Sequence, residues 1–276
     1  MREPNFSESQ LQQAANTAFI RKVFEHHDYW AFAHIPSLLA EFDLGWDTAF
    51  HLPWLPHLPS SSDEGCNFFL QYKLSGELTS PGAREWSHWG VEYFRFKIPH
   101  STRDASGSFV DDYHQWNRLK ALANKNYPTF YATNSTLNKS ELQSALQAGN
   151  LLESVPLLDV RTINTVHKHV TFTASSNSFA LHSEKEYSKK LSFASMLNLL
   201  AEGQQLSLAA STKKLLDALK EIGEDDEEWH RDLGHIGSAS DQPLPRRTQA
   251  WVKHAFLATF VRKHMGAELL WLPTGG

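Results

Sequence analysis

The chain has 276 residues, a net charge of −5 and one cysteine. That length allows one large domain or two smaller ones with an ample core, and a lone cysteine excludes an internal disulfide framework or a cysteine-based zinc cluster. No apolar run approaches the roughly 18 residues of a membrane span and the polar N-terminus does not read as a signal peptide, so the expectation is a cytoplasmic protein without a membrane partner.

In chain order, Ser7 is placed to cap a helix running to about residue 25, with Leu11, Ala14, Ala15, Ala18, Phe19 and Val23 on its apolar side. Glu8 falls in its first turn, where the helix dipole favours an acid. A short helical stretch from Pro36 to Ala40 is followed by Glu41. Gly45-Trp46-Asp47-Thr48-Ala49-Phe50 reads as the entry to one strand and Cys66 to Leu74 as its neighbour, joined by a Pro- and Ser-rich loop from Pro53 to Ser62. Cys66 reads as a small apolar strand residue, not a nucleophile. Along the second strand Gln71 and Lys73 share a face while Leu70 and Tyr72 take the other. The plain reading of that pair is a solvated strand face. The sharper one sets an acid on one strand beside Gln-x-Lys on the next, where they can hold a divalent metal and a water-orienting ammonium.

Further on, Phe94, Phe96 and Ile98 alternate with Arg95 and Lys97, as in a half-buried strand. Arg95 and Lys97 are then a solvated face or, with Arg84, a contact to phosphate. Asp111 to Leu122 reads as an amphipathic helix with Trp116, Leu119 and Leu122 inward. Tyr127 to Ala132 gives another strand, and Ser140 to Ala148 a helix ended by Gly149. The pattern predicts an α/β fold, a central mixed sheet flanked by helices, with strands near 46–52, 67–74, 91–98 and 127–132 in one sheet.

In the second half, Val166 to Phe172 reads as a strand with His167 and His169 on one face, most simply a solvated one. A two-histidine phosphoesterase needs a second His-x-Ser/Thr element, and His182-Ser183 and His100-Ser101 lack the intervening residue. Helices are expected over 184–202, 211–222 and 246–265, with a closing edge strand at 268–273. The last helix offers Trp251, Ala255, Phe256, Ala258, Thr259 and Val261, a surface for core packing or for a homo-oligomer or protein partner. Between the last two helices lies an acidic linker, 221–245, with Glu224 to Ser240 expected to be loosely ordered; Glu221 and Glu224 to Glu228 gather much of the net negative charge. Outside that block the chain is close to neutral, so its overall sign weighs little against nucleic-acid binding. The expected division is an α/β core over 1–180 and a mainly helical region over 181–276.

The pattern Gly-x-Asp at 45–47, followed by an apolar run ending in Gln71-Tyr72-Lys73, resembles the PD-(D/E)xK nuclease superfamily. It is most similar to the branch, Mrr-type restriction endonucleases included, in which Gln replaces the second acid. The resemblance covers about residues 1–135. It implies a restriction endonuclease-like core and a Mg²⁺ (or Mn²⁺) site formed by Asp47, Gln71 and the backbone carbonyl of Tyr72. Lys73 would position or deprotonate the attacking water. It also implies Glu8 or Glu41 as a third acidic group, Gln115 as a helical accessory, and nucleic acid, DNA first, as the substrate. A role in restriction or phage defence follows by analogy alone. Two departures stand out: no Pro precedes Asp47, and the amide at position 71 removes a negative charge. The alternative implied by that amide is an inactive nuclease-fold protein that binds nucleic acid or serves as a structural subunit.

Overall fold

The computed structural model describes residues 1–27, 64–223, 226–239 and 246–273. The expected strand around Asp47, the short helix before Glu41 and the Pro/Ser-rich loop lie outside the described residues. The fold is mixed α/β, a mixed sheet with helices around it and a helical C-terminal region. Among the described residues no helix is long and apolar enough to cross a membrane. Contacts divide the chain into two compact units, Met1–Phe19, Gln71–Lys120 and Thr129–Asn198 in the first, and Ile20–Leu70, Ala121–Pro128 and Leu199–Gly276 in the second.

In the first unit, α1 (Glu8–His27) opens on a reciprocal cap. Ser7 Oγ accepts from the Gln10 N–H at 3.2 Å and Gln10 Oε1 accepts from the Ser7 N–H at 2.9 Å. Strand β1 (Glu64–Lys73) enters this unit at Gln71. It neighbours β6 (Thr129–Thr133), which pairs antiparallel with β7 (Leu157–Asp159). Helix α4 (Lys139–Ala148) ends at Gly149, whose φ of 77° lies in the left-handed region.

The expected single sheet is corrected. A second, five-stranded antiparallel sheet has the order β10-β9-β8-β3-β2. Its strands are β2 (Gly76–Leu78), β3 (Tyr93–Lys97), β8 (His169–Phe172), β9 (Ser178–His182) and β10 (Glu186–Lys189). Phe94 and Phe96 do face a core, as their alternation predicts, but that core lies between the sheets. Phe94 stacks on Phe172 at 5.3 Å, and Phe96 meets Phe179 at 6.5 Å and Tyr131 of β6 at 6.0 Å. Alternation specifies a buried face, not the sheet a strand joins.

Two helix boundaries shift for local reasons. Asp111 and Asp112 belong to β5 (Phe109–Asp112), which pairs with β4 (His100–Arg103). The helix that follows, α3 (His114–Asn124), starts where Asp112 Oδ1 accepts from the His114 N–H at 2.8 Å. The helix expected from residue 184 starts only at Phe193, as α5 (Phe193–Ala201), with Ser192 Oγ accepting from the Ser195 N–H. Before it Glu186 to Lys189 alternate in and out as β10, burying Ser188.

In the second unit the early part of β1 pairs antiparallel with β11 (Leu206–Ser207) and β12 (Glu268–Pro273). A Cβ at Gly65 would overlap the Leu272 carbonyl and the Trp271 ring, so only glycine permits this approach. Burial pushes the Cys66 thiol up to about 12, which keeps it protonated and unreactive. Helix α6 (Leu208–Ile222) is capped by Ser207. Helix α8 (Arg246–Met265) has the expected bounds and buries Ala255, Ala258, Thr259 and Val261.

The acidic block is not a loose linker over its described part. Helix α7 (Glu227–Ala239) holds Glu227 and Glu228 in its first turn, where their charge meets the positive end of the helix dipole. Asp226 caps it, and Trp229 anchors it, fully buried, donating to the Leu219 carbonyl at 2.8 Å and edge-on to Phe260 at 4.6 Å. Asp232 on α7 accepts from Lys263 and His264 of α8, both at 2.8 Å. Burial alone would raise its pKa, but those two partners outweigh it and hold the carboxyl below the usual range. A depressed carboxyl stabilises the fold above its unfolded pKa, and that contribution is lost as pH falls through the folded value. Asp232→Asn is expected to cost about 2–3 kcal/mol in urea unfolding at neutral pH. The gap between wild type and variant should close as the pH is lowered below the ordinary aspartate value of about 4.

Candidate active site

Strand β1 is buried on both faces. Leu70, Gln71, Tyr72 and Lys73 are 1%, 2%, 3% and 5% exposed. The solvated-face reading of Gln71 and Lys73 therefore fails, and their polar groups need partners inside the protein. The unbroken run Phe68-Phe69-Leu70 just before them was the sequence signal for such two-sided burial.

Those partners come from three other elements of the first unit. On one face the Tyr72 hydroxyl donates to Asn16 Oδ1 of α1 at 2.8 Å. On the other, Gln71 Nε2 donates to Gln115 Oε1 at 2.6 Å, from the first turn of α3. Lys73 Nζ lies 2.9 Å from His100 Nε2, at the base of the β4–β5 hairpin. Gln115 also lies close enough to His100 to act on its pKa, so Gln71, Gln115, His100 and Lys73 form a ring of polar side chains.

Glu8, in the first turn of α1, lies near the ring. Against burial, the larger influence, the charge of Lys73 and the Leu74 backbone pull its pKa down. Glu8 is exposed as a residue, but burial of its carboxyl raises its pKa against the pull of Lys73. Burial likewise lowers Lys73 to about 8; Glu8 opposes the shift and Lys97 adds to it. Burial, then Lys73, lowers His100, so the imidazole is neutral near pH 7 and its Nε2 accepts from the ammonium. Both members of the Glu8–Lys73 pair are thus biased toward their neutral forms, the reverse of a stabilising salt bridge.

The structure brings Gln71, Lys73, Gln115 and Glu8 together, with the Tyr72 carbonyl between the first two along the strand. Asp47 and Glu41 lie outside the described residues. Arg84 and Arg95 are elsewhere, on the second sheet and its flank, whereas Lys97 is close enough to act on both Lys73 and His100. His100 and Asn16 were not singled out by sequence reasoning, because no spacing along the chain ties position 100 or 16 to the Gln-x-Lys strand. The expected His167/His169 pair does not form a solvated face. His167 precedes β8, is fully buried, and its Nε2 lies 2.7 Å from Glu186 Oε2.

Among the described residues no group of three His, Cys, Asp or Glu is placed to hold a metal ion. The Glu8 carboxylate and the Gln71 amide oxygen are hard donors of the kind Mg²⁺ takes, and a Mg²⁺ that keeps several waters needs few protein oxygens. The donor chemistry therefore suits Mg²⁺ or Mn²⁺ rather than a soft metal. No family model, no curated protein and no solved structure matches this chain.

A buried ammonium held at a depressed pKa destabilises the fold. The cost is fully present below about pH 8 and is relieved as the pH rises toward the ordinary lysine value. Lys73→Met should therefore raise stability at neutral pH by on the order of 1–3 kcal/mol, read as the shift in urea midpoint. An equal or lower midpoint would show that Lys73 is comfortably solvated or paired instead.

Proposed function

We propose that this protein is a metal-dependent nuclease that hydrolyses phosphodiester bonds in nucleic acid, with DNA as the first substrate to test. The observation that supports the reading best is the ring at Lys73: four polar side chains from three elements, enclosed in a strand that apolar residues would fill more stably. Polar groups kept at such a cost, with pKa values moved by burial, are a common mark of a working site.

In this reading Asp47, the Gln71 side-chain oxygen and the Tyr72 carbonyl hold Mg²⁺ or Mn²⁺, with Glu8 completing the acidic edge. When bound, the metal lowers the pKa of a coordinated water and offsets charge on the phosphate. Lys73 orients that water and stabilises the charge that develops on the phosphate oxygens. Gln115 accepts from the Gln71 Nε2 group at 2.6 Å and so fixes the orientation of the amide whose oxygen would face the metal. His100 uses its neutral Nε2 to hold one N–H of Lys73, leaving the other two for water and phosphate.

The amide at position 71 favours one second reading, an inactive nuclease fold that binds nucleic acid without cutting it. A single series separates the two. Purified protein is incubated with duplex DNA, single-stranded DNA and RNA, with Mg²⁺, Mn²⁺ or EDTA. Metal-dependent cleavage is expected. Asp47→Ala and Lys73→Ala should each lower the rate by at least about 10²–10³-fold, and Lys73→Ala should leave binding largely intact. Gln71→Glu should retain activity and tighten metal binding. Activity seen only in Gln71→Glu identifies a decayed site, and cleavage that survives both alanine changes places the chemistry elsewhere.

A further inference from the structure

The outer face of the second sheet is not an ordinary solvated face. Cross-strand register sets Lys97 of β3 opposite His169 of β8, and His169 opposite His182 of β9. The next row holds Arg95, Thr171, Ala180 and, on β10, Tyr187. Directly opposed residues share a face and stand about 5 Å apart. Lys97, His169 and His182 thus form one line of nitrogen-bearing side chains across three strands, with Arg95 beside it.

Aromatic side chains lie along the neighbouring row. Helix α2 (Trp86–Trp89) reaches it through Trp89, whose Nε1 donates to Thr171 Oγ1 at 3.0 Å. His88 packs 4.5 Å from Trp89 and 5.6 Å from Tyr187, and Tyr187 is 50% exposed. Thr171 Oγ1 also lies 2.7 Å from His182 Nε2, which fixes that ring. Among the described residues no side-chain hydrogen bond is made by His169, which is half-buried on this face.

The face is electropositive. Arg95 lies 3.7 Å from buried Glu85, and Lys97 and Lys168 share Asp111 at 2.6 Å each. Arg84, which acts on His182, brings a further cation, so Arg84, Arg95, Lys97 and Lys168 outnumber Glu85 and Asp111. After burial itself, Arg95 is the largest influence that lowers His169, to about 4; Lys168 and Lys97 add to it and Glu85 opposes them. The Arg95, Lys168 and Lys97 part of that shift is the part that would favour an anion; burial disfavours charge of either sign. The patch is also continuous with the candidate active site, because Lys97 acts on Lys73 and His100 as well as on His169.

We propose that the Lys97–His169–His182 row carries the phosphate backbone of one nucleic-acid strand away from the Lys73 site, with a base stacked on Tyr187. This rests on the nuclease reading for its direction, but not for the binding itself. A single strand fits better than a duplex. One short line of nitrogens meets one backbone, and an exposed ring gains only from a base that is not already stacked within a helix.

The test is fluorescence anisotropy with labelled 20-mers of deoxythymidine and of uridine, and with a blunt duplex, in EDTA so that cleavage is off. Wild type should bind the single strands more tightly than the duplex. His169→Glu should weaken single-strand binding at least tenfold by placing a carboxylate in the row. Tyr187→Ala should weaken it by about 5- to 150-fold, the value of one stacked base, and leave duplex binding unchanged. Because Tyr187 is half-exposed, its variant keeps the test open should His169→Glu fail to fold. Absence of single-strand binding in wild type, or binding that neither variant alters, overturns the proposal; so does equal loss for duplex and single strand. Binding through this face without metal-dependent cleavage leaves the surface standing and removes the nuclease reading. Cleavage with unaltered binding in both variants does the reverse.

Discussion

The structure of the first unit depends on one constraint: β1 is enclosed on both faces yet carries Gln71, Tyr72 and Lys73. Polar groups in such a place are costly unless each has a partner. Supplying those partners is what ties the surrounding elements to the strand. Asn16 binds α1 to one side of it, Gln115 aligns the start of α3 on the other, and His100 fixes the base of the β4–β5 hairpin. Apolar side chains could fill the same space with less demand on geometry. The polar version gives up stability for a fixed amide and a fixed ammonium at one point, the trade expected of a site built to act on something.

The two units handle buried charge in opposite ways. In the second, Asp232 is pinned by Lys263 and His264, and its carboxyl is held in the charged form. That is a structural clamp between α7 and α8. In the first, burial outweighs mutual attraction at Glu8 and Lys73, and each moves toward neutrality. The contrast lies in what surrounds each charge: Asp232 has the Lys263 ammonium and the His264 ring within hydrogen-bonding distance, whereas Lys73 has a neutral imidazole there. A charge left so lightly compensated is available to a ligand.

Alternation along a strand explains both sheets, but with different outcomes. On β3, β8 and β9 one face is aromatic and buried, with Phe94, Phe96, Phe172 and Phe179 in mutual contact. The other bears Arg95, Lys97, His169, Thr171 and His182, with Trp89 of α2 bonded to Thr171. Lys97 stands where that face meets the Lys73 ring. Its charge reaches both, so the electrostatics of the ring and of the outer face are coupled through one side chain.

Much of the local structure was legible in the sequence. The cap at Ser7, the stop at Gly149, the bounds of α8 and the closing strand β12 follow from short-range signals: a side chain that satisfies a free N–H, a left-handed turn, a helical period, a run of apolar residues. The shared orientation of Gln71 and Lys73 followed from the period of a strand. What tertiary structure decided was everything that depends on which elements meet. The pattern of β3 predicts a buried face but not which sheet it joins. The acids at Glu227 and Glu228 suggest repulsion until Trp229 is seen to anchor a helix whose N-terminus welcomes them. Glu186 to Lys189 become a strand because β9 is there to pair with. His100 meets Lys73, and His169 lines up between Lys97 and His182, only through strand register and packing, distances that no spacing along the chain encodes.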